Sequence, residues 1–221
     1  RSYKEEYQYW LDSPALGEEE WKELSAIAGD DKEIESRFYA PLEFGTAGLR
    51  GIMATGLNRM NIHVIRWATQ AFAAVIKAQG EEACKKGVVV CYDCRLNSER
   101  FAREAAGVMA ANGIRVRIFD ALRPTPELSF AVMHYGATAG INITASHNPR
   151  EYNGYKVYWS DGAQLPPQHA AAVAAEMGKL DIFHDVKRLS FDEAMASGLV
   201  EVIGAETDEA FLANVMSMSI N

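Results

Sequence analysis

The sequence predicts an α/β fold in which helices cover both faces of a mixed, mostly parallel sheet, preceded by an N-terminal helical arm. From residue 44 onward, short apolar runs alternate with longer segments whose apolar residues recur at helical spacing. Glycine, proline and asparagine stand between these segments, where turns and helix ends need them. Alternation of this kind is typical of a sheet with helices on its faces.

The arm comprises the first forty residues. Two polar, tryptophan-containing stretches, at residues 3–11 and 18–27, have the periodicity of helices. Trp21, Leu24 and Ile27 fall at helical spacing in the second stretch. We therefore expect two helices ahead of the α/β domain.

The first half of the α/β domain opens with a glycine-rich segment at residues 44–51. Asn61 is placed to cap a helix that Gly80 ends. The β-branched run at residues 88–92 predicts a strand, and a second periodic segment then runs to Gly113. The order is therefore helix, strand, helix.

The second half of the domain repeats this pattern. Residues 115–119 predict a strand, and Thr125 is placed to cap a helix whose first residue is Pro126 and which Gly136 ends. Residues 140–144 predict the next strand. We expect these strands to lie in the same sheet.

An Asn-Gly pair at residues 153–154 precedes a strand-like run at residues 155–159, which is the signature of a tight hairpin-type turn. Lys156 and Tyr158 would then share one face of that strand. An alanine-rich helix follows, and a short strand and an amphipathic helix close the sequence after Gly198.

These segments divide the chain into three parts. We expect the helical arm at residues 1–40, the α/β domain at residues 41–190, and a linker with the start of a second domain at residues 191–221. The last helix is not followed by a closing turn, so we expect the chain to be the N-terminal part of a longer protein.

Composition narrows the class of protein. The apolar and charged fractions, 48% and 24%, are those of an ordinary globular domain. A net charge of −8 argues against a nucleic-acid surface and against a polybasic membrane anchor, and no run is long and apolar enough for a membrane helix. Three cysteines are too few for a disulfide framework, and no apolar signal segment is present, so we expect a reducing cytoplasm.

Ser146 is the main candidate for a reactive residue. It follows the strand predicted at residues 140–144, and ligands gather beyond the carboxyl ends of strands in open α/β sheets. The run at residues 144–149, Thr-Ala-Ser-His-Asn-Pro, ends in an Asn-Pro turn that would hold Ser146 and His147 toward solvent. On the hexapeptide's polarity alone, a simple surface turn is the alternative.

Other motifs carry weaker signals. Cys91 and Cys94 have the spacing of a redox pair, but Cys91 falls inside an apolar strand, and Asp93 with Arg95 is better explained as an ion pair supporting the serine loop. The glycine spacing at residues 45–51 matches neither the dinucleotide fingerprint nor the P-loop. The serine lacks the nucleophile elbow of a hydrolase.

Five segments together resemble one family. The serine loop at residues 144–149 is similar to the active-serine loop of the α-D-phosphohexomutases, and residues 44–51, 92–95, 124–126 and 153–156 resemble the family's other N-terminal segments in the same order. Residues 10–14 and 151–159 resemble its phosphoglucomutase/phosphopentomutase-like subgroup. This resemblance implies the fold of the family's first domain.

The resemblance also implies roles for individual residues. Ser146 would carry the phosphoryl group, with His147 and Lys156 as further catalytic residues. Phosphate and substrate binding would fall to Thr46, Arg50, Ser146, Asn148 and Lys156. Mg²⁺ is the implied cofactor, and Ser146, through its phosphoryl group, is the one metal ligand that this chain supplies. The family's Asp-Gly-Asp metal loop, Gly-Glu-Glu sugar loop and Ser-Gly-Thr phosphate loop have no counterpart after the serine loop here.

The expected function is therefore that of the catalytic-serine part of a mutase interconverting hexose 1-phosphate and hexose 6-phosphate, with glucose as the sugar, through a phosphoserine and a bisphosphate intermediate. The expected partners are the sugar phosphate, the bisphosphate and the remaining domains of the enzyme, without nucleic acid or membrane. Without those domains the chain should be inactive. A phosphopentomutase of the same family and a non-catalytic sugar-phosphate-binding module are the alternatives.

Overall fold

The computed structural model describes residues 1–219, which contain ten helices and six strands. The helices are α1 Tyr3–Leu11, α2 Glu18–Ala26, α3 Asp31–Phe38, α4 Ile62–Lys77, α5 Glu81–Lys86, α6 Ser98–Ala111, α7 Thr125–His134, α8 Pro167–Met177, α9 Phe191–Ala196 and α10 Ala205–Ser217. The strands are β1 Leu49–Ile52, β2 Val88–Tyr92, β3 Val116–Phe119, β4 Ala139–Ile143, β5 Tyr152–Trp159 and β6 Val200–Ile203. No helix within this part of the chain is long and apolar enough to cross a membrane.

All six strands form one sheet in the order β1-β5-β4-β2-β3-β6. The four strands from β4 to β6 in this order are parallel, whereas β5 is antiparallel to both β4 and β1. The predicted mixed, mostly parallel sheet is therefore confirmed. Because β6 pairs with β3, the sheet continues past residue 190, where the sequence placed the end of the α/β domain.

Helices cover both faces of the sheet, as predicted. Alternate residues of β2 show this most clearly, since Val88 and Val90 belong to one apolar core and Val89 and Cys91 to another. Helices α4, α6 and α8 contribute to the first core, and α7 packs on β2 and β4 at the second. A strand buried on both faces needs apolar residues throughout, which is why the run at β2 is continuous rather than alternating.

The arm contains three helices, not the two that the sequence predicted. The additional helix is α3, whose first turn is capped by the side chain of Asp30 accepting from the amide of Glu33. The arm shares the larger apolar core, because Trp10 is fully buried against Phe38 and against Phe183 of the α/β domain. It is therefore packed onto the domain rather than extended from it.

The hairpin-type turn predicted at Asn153-Gly154 is wrong. Both residues lie inside β5, an interior strand that pairs with β1 on one side and β4 on the other. A Cβ on Gly154 would come within 2.5 Å of the carbonyl oxygen of Thr144 and 2.9 Å of that of Leu49. Glycine is needed here because neighbouring strands approach closely, not because the chain turns.

The expected capping role of Thr125 is also wrong. Pro124 occupies the N-cap position of α7, and no side chain caps the helix there. Thr125 is the first helical residue, and its hydroxyl accepts a hydrogen bond from Asn142 Nδ2 over 2.8 Å. The first turn of α7 is thereby tied to the end of β4.

Candidate active site

The loop after β4 presents Ser146 to solvent at the carboxyl edge of the parallel strands. The backbone of Ser146 is left-handed, with a φ of 56°. The amide of Ser146 donates to Thr144 Oγ1 over 3.1 Å, and the amide of Asn148 donates to the carbonyl of Ala145 over 3.1 Å. A left-handed conformation costs a residue with a Cβ about 1 to 2 kcal/mol, so other contacts must hold it.

Arg95 supplies such contacts from beneath the loop. Its guanidinium donates to the carbonyls of Ser146, Asn148, Pro149 and Tyr152, at 2.9, 2.7, 2.8 and 3.1 Å. Arg95 Nε lies 3.4 Å from Asp93 Oδ2, which confirms the ion pair predicted from sequence. The pair supports the serine loop through backbone contacts.

His147 stands beside the serine hydroxyl. Its Nδ1 lies 3.3 Å from Ser146 Oγ, a distance at which the two groups can share a hydrogen bond, and both side chains are exposed. An imidazole in this place can donate to, or accept from, a group attached to Ser146.

Arg50 reaches the same loop from β1. Its Nη1 donates to Asn148 Oδ1 over 2.9 Å, while the rest of the exposed guanidinium is open to solvent. β1 is positioned by its pairing with β5, in which Arg50 lies opposite Gly154. The antiparallel edge of the sheet therefore brings a cation to the serine loop, and its remaining donors can bind an anion bidentately.

Lys156 lies on β5, half-buried and directly opposite Asn142 of β4. Burial, and then the positive charge of Arg50, lower the pKa of Lys156 below its usual value. A lowered pKa increases the fraction of neutral amine near neutral pH, which an acid/base group requires. Sequence placed this lysine after a turn, whereas the structure holds it in the middle of an interior strand.

Thr46 lies in a tight turn closed by hydrogen bonds between Gly45 and Gly48. This turn packs on β5, since a Cβ on Gly48 would lie 1.8 Å from the carbonyl oxygen of Tyr155 and 3.1 Å from the Cα of Lys156. The exposed side chain of Thr46 makes no hydrogen bond to the other candidate residues within the described chain. The turn that carries Thr46 therefore approaches Lys156 through the backbone at Gly48.

The structure thus joins four of the six predicted residues by direct contact, namely Ser146 with His147 and Arg50 with Asn148. The wider role of Arg95 was not predicted, although its place at the end of β2 was a signal. Asn142 was missed as well. It is buried, and its Oδ1 has no hydrogen-bond partner in the described residues.

The structure also bears on metal binding and on the cysteines. Within residues 1–219, no three His, Cys, Asp or Glu side chains lie close enough together to hold a metal ion, so these residues do not fit a complete Mg²⁺ site. Cys91 is buried, and burial raises the pKa of its thiol to about 12, while Cys94 is exposed. The high pKa argues against a redox role for Cys91.

Comparison with known proteins identifies the family. A family model described as "Phosphoglucomutase/phosphomannomutase, alpha/beta/alpha domain I" matches residues 41–182. The chain belongs to the phosphoglucomutase/phosphomannomutase family. The matched segment includes the glycine-rich turn, the serine loop and β5.

Relatives within the family carry mutase names. A phosphopentomutase of Homo sapiens is 42% identical over 77% of this chain, and a phosphoglucomutase of Staphylococcus saprophyticus is 34% identical over 85%. A solved structure from Thermus thermophilus, described as a candidate phosphomannomutase, is 31% identical over 75% of the chain with a TM-score of 0.61. The chain spans 29%, 34% and 33% of these proteins, respectively.

Proposed function

We propose that this chain is the catalytic-serine part of a phosphosugar mutase that interconverts hexose 1-phosphate and hexose 6-phosphate through a phosphoserine and a bisphosphate. The observation that carries the proposal is the display of Ser146. Its hydroxyl is exposed at the carboxyl edge of the sheet, with His147 beside it, and Arg50 reaches the same loop from β1. Ser146 is the carrier of the phosphoryl group.

Transfer of a phosphoryl group depends mainly on position and on neutralising the charge that spreads over its oxygens. Arg50 has free donors for a bidentate contact, and His147 can donate to a phosphoryl oxygen. Asn148 holds Arg50 in place over the loop. These contacts support a group attached to Ser146 Oγ rather than a distant ligand.

Each transfer breaks the bond between phosphorus and Ser146 Oγ and forms one to a sugar hydroxyl. The hydroxyl loses its proton and Ser146 Oγ gains one. Lys156, with its lowered pKa, is suited to accept the first proton, and His147, 3.3 Å from Oγ, is placed to return one to the serine. The reverse transfer uses the same groups in opposite roles.

The sugar is proposed to be glucose, with a pentose as the second candidate. The glucose proposal is supported by the staphylococcal relatives named phosphoglucomutase, and the pentose by the human relative named phosphopentomutase. The two are separated by assaying the full-length enzyme with glucose 1-phosphate and ribose 1-phosphate at equal concentrations.

Mg²⁺ is part of the proposal, as a cation that would neutralise charge on the phosphoryl group. This chain offers it Ser146 through that group, and the other ligands would come from the remaining domains, which are proposed partners. Alone, the chain is therefore proposed to have no turnover. A reducing cytoplasm is the proposed location.

The test is replacement of the serine in the full-length enzyme. Ser146→Ala should lower turnover of glucose 1-phosphate by several orders of magnitude while leaving the melting temperature unchanged, because an exposed loop hydroxyl contributes little packing. Ser160→Ala, which alters an exposed serine after β5, is the control and should keep full activity. Near-normal turnover of Ser146→Ala would end the carrier assignment.

A further inference from the structure

We infer that Arg95 is a positioning residue, which fixes Ser146 in the left-handed conformation that points its hydroxyl at the substrate. The inference rests on the proposed function, since it concerns how the phosphoryl carrier is held. It adds to that function a residue that does not itself touch the reacting atoms.

The contacts of Arg95 use the whole guanidinium. Each Nη carries two N–H groups, and these four donors match four carbonyls: Pro149 and Tyr152 for Nη1, and Ser146 and Asn148 for Nη2. The remaining donor, on Nε, faces Asp93. No donor is left over for a phosphate, so Arg95 acts through the loop and not by binding the transferred group.

Two carbonyls of the serine loop, those of Ser146 and Asn148, depend on Arg95 for their hydrogen bonds. Among the described residues, Arg95 alone donates to the carbonyls of Ser146 and Asn148. Ser146 is also one of only two residues other than glycine with a positive φ in residues 1–219. Without Arg95, these carbonyls would form hydrogen bonds with water instead, and Ser146 would be free to relax toward an ordinary backbone conformation.

Arg95 is itself held rigidly. Its amide donates to Asp93 Oδ1 over 2.9 Å, and the same oxygen accepts from Ser98 Oγ over 2.7 Å. Ser98 Oγ in turn accepts from the buried Asn153 Nδ2 over 3.0 Å. Arg95 is therefore anchored to the start of α6 and to β5, and its side chain is only 13% exposed. Such a supporting shell keeps a reactive group within a fraction of an ångström of its working position.

The first experiment measures steady-state kinetics of the full-length enzyme with Arg95→Ala and Arg95→Lys. Both should lower kcat about 100-fold with less than about a threefold change in KM, because a displacement near 1 Å has an effect of that order on reaction and little on binding. Lysine should not rescue, since an ammonium cannot reach four carbonyls. Guanidinium ion added to Arg95→Ala should restore part of kcat. The control is Arg103→Ala, which breaks a surface ion pair with Glu99 and should leave kcat and KM unchanged.

A second measurement covers the case in which Arg95→Ala folds poorly. Ser146 recovers its backbone strain when Arg95 is removed, whereas glycine adopts the left-handed conformation without cost and has no strain to recover. Arg95→Ala should therefore lower the melting temperature more in a Ser146→Gly background than in the wild type. Equal losses in both backgrounds, or an unchanged kcat in Arg95→Lys, would overturn the inference.

The serine variant separates this inference from the proposed function. If Ser146→Ala remains active, the carrier assignment itself fails. If Ser146→Ala is inactive and the Arg95 variants keep their kcat, only the positioning role is refuted.

Discussion

Lys156 is an ionisable residue of the candidate site, and its surroundings shift its pKa. Burial in β5 and the charge of Arg50 lower that pKa, as expected for a group that exchanges protons with a sugar hydroxyl. Lys156→Met removes the group proposed to exchange this proton but retains much of the side chain's apolar length. We predict that kcat of the full-length enzyme falls at least about 100-fold while KM changes little.

The matched control is Lys179→Met, which alters an exposed lysine paired with Glu176. It should leave kcat and KM at wild-type values. If Lys156→Met does the same, Lys156 is a strand lysine without a part in the reaction.

The glycines provide a prediction about stability. Gly48 has a φ of 75°, and a Cβ there would overlap the carbonyl of Tyr155 at 1.8 Å, whereas Gly136, with a φ of 58°, has no atom within 4 Å of the same position. Gly48→Ala should therefore lower the free energy of unfolding by more than about 3 kcal/mol, because β1 must move from β5. Gly136→Ala should lower the free energy of unfolding by only about 1 to 2 kcal/mol, which is the cost of a left-handed backbone at a residue with a Cβ. Urea unfolding of the two variants measures the difference, and equal losses would show that the turn does not press on β5.

At the scale of single residues, the sequence indicated which residues form the candidate site but not what holds them in place. Ser146, His147 and Asn148 are neighbours in the chain, so a short motif was enough to find them. The contacts of Arg95 with loop carbonyls depend on where the backbone goes, and no residue type signals that. Gly154 was misjudged because an Asn-Gly pair favours a turn, and only the approach of two neighbouring strands shows why glycine is needed.

Among the secondary-structure elements, α7 and α10 are joined by a cluster of charged groups. Arg123 pairs with Asp208 of α10 at 2.6 Å and with Asp120 at 3.0 Å. Glu127 of α7 is buried, and burial, followed by the influence of Asp208, raises the pKa of Glu127 to about 7. The carboxyl is therefore protonated below neutral pH, whereas the pKa of Asp208 is lowered, first of all by Arg123.

This cluster predicts a pH dependence of stability. A carboxyl whose pKa is higher in the folded than in the unfolded protein binds protons more tightly when the protein is folded. Its contribution to the free energy of unfolding is therefore full below about pH 4.5 and is lost as the pH rises through about 7. Between pH 6 and pH 8, ionisation of Glu127 should lower the free energy of unfolding by about 1.4 kcal/mol. Glu127→Gln, which keeps a donor and cannot ionise, should remove this loss. Urea titrations at the two pH values check it, and an equal pH dependence in both proteins would contradict the assignment.

The elements that the sequence missed share one property. Helices α3, α5 and α9 have 8, 6 and 6 residues, and β1 has 4, too few for a periodic pattern to stand out. Long helices such as α4 and α6 were predicted correctly because their patterns extend over several turns. The buried runs of β2 and β4 were predicted correctly because they are mostly apolar. Pairing of β6 with β3 joins residues far apart in sequence, which a local pattern does not report.

On the scale of the whole molecule, the arm and the α/β domain share an apolar core, and this arrangement predicts a contrast between two tryptophans. Trp10 is fully buried among aromatic rings from both parts, whereas Trp21 is 50% exposed. Trp10→Ala should lower the free energy of unfolding by about 3 to 5 kcal/mol in a single transition, and Trp21→Ala by less than about 1 kcal/mol. Two separate transitions in the wild-type protein would show that the arm folds independently.

The central claim for the whole molecule is that Ser146 carries a phosphoryl group during the reaction. The most direct measurement is phosphopeptide mapping of the full-length enzyme, first after incubation with glucose 1,6-bisphosphate and then after excess glucose 1-phosphate. We predict one phosphoryl group per chain, located on Ser146, after the first incubation, and its loss to the sugar in the second. An enzyme that turns over glucose 1-phosphate with no phosphate on Ser146, or with phosphate only on another residue, would contradict the account.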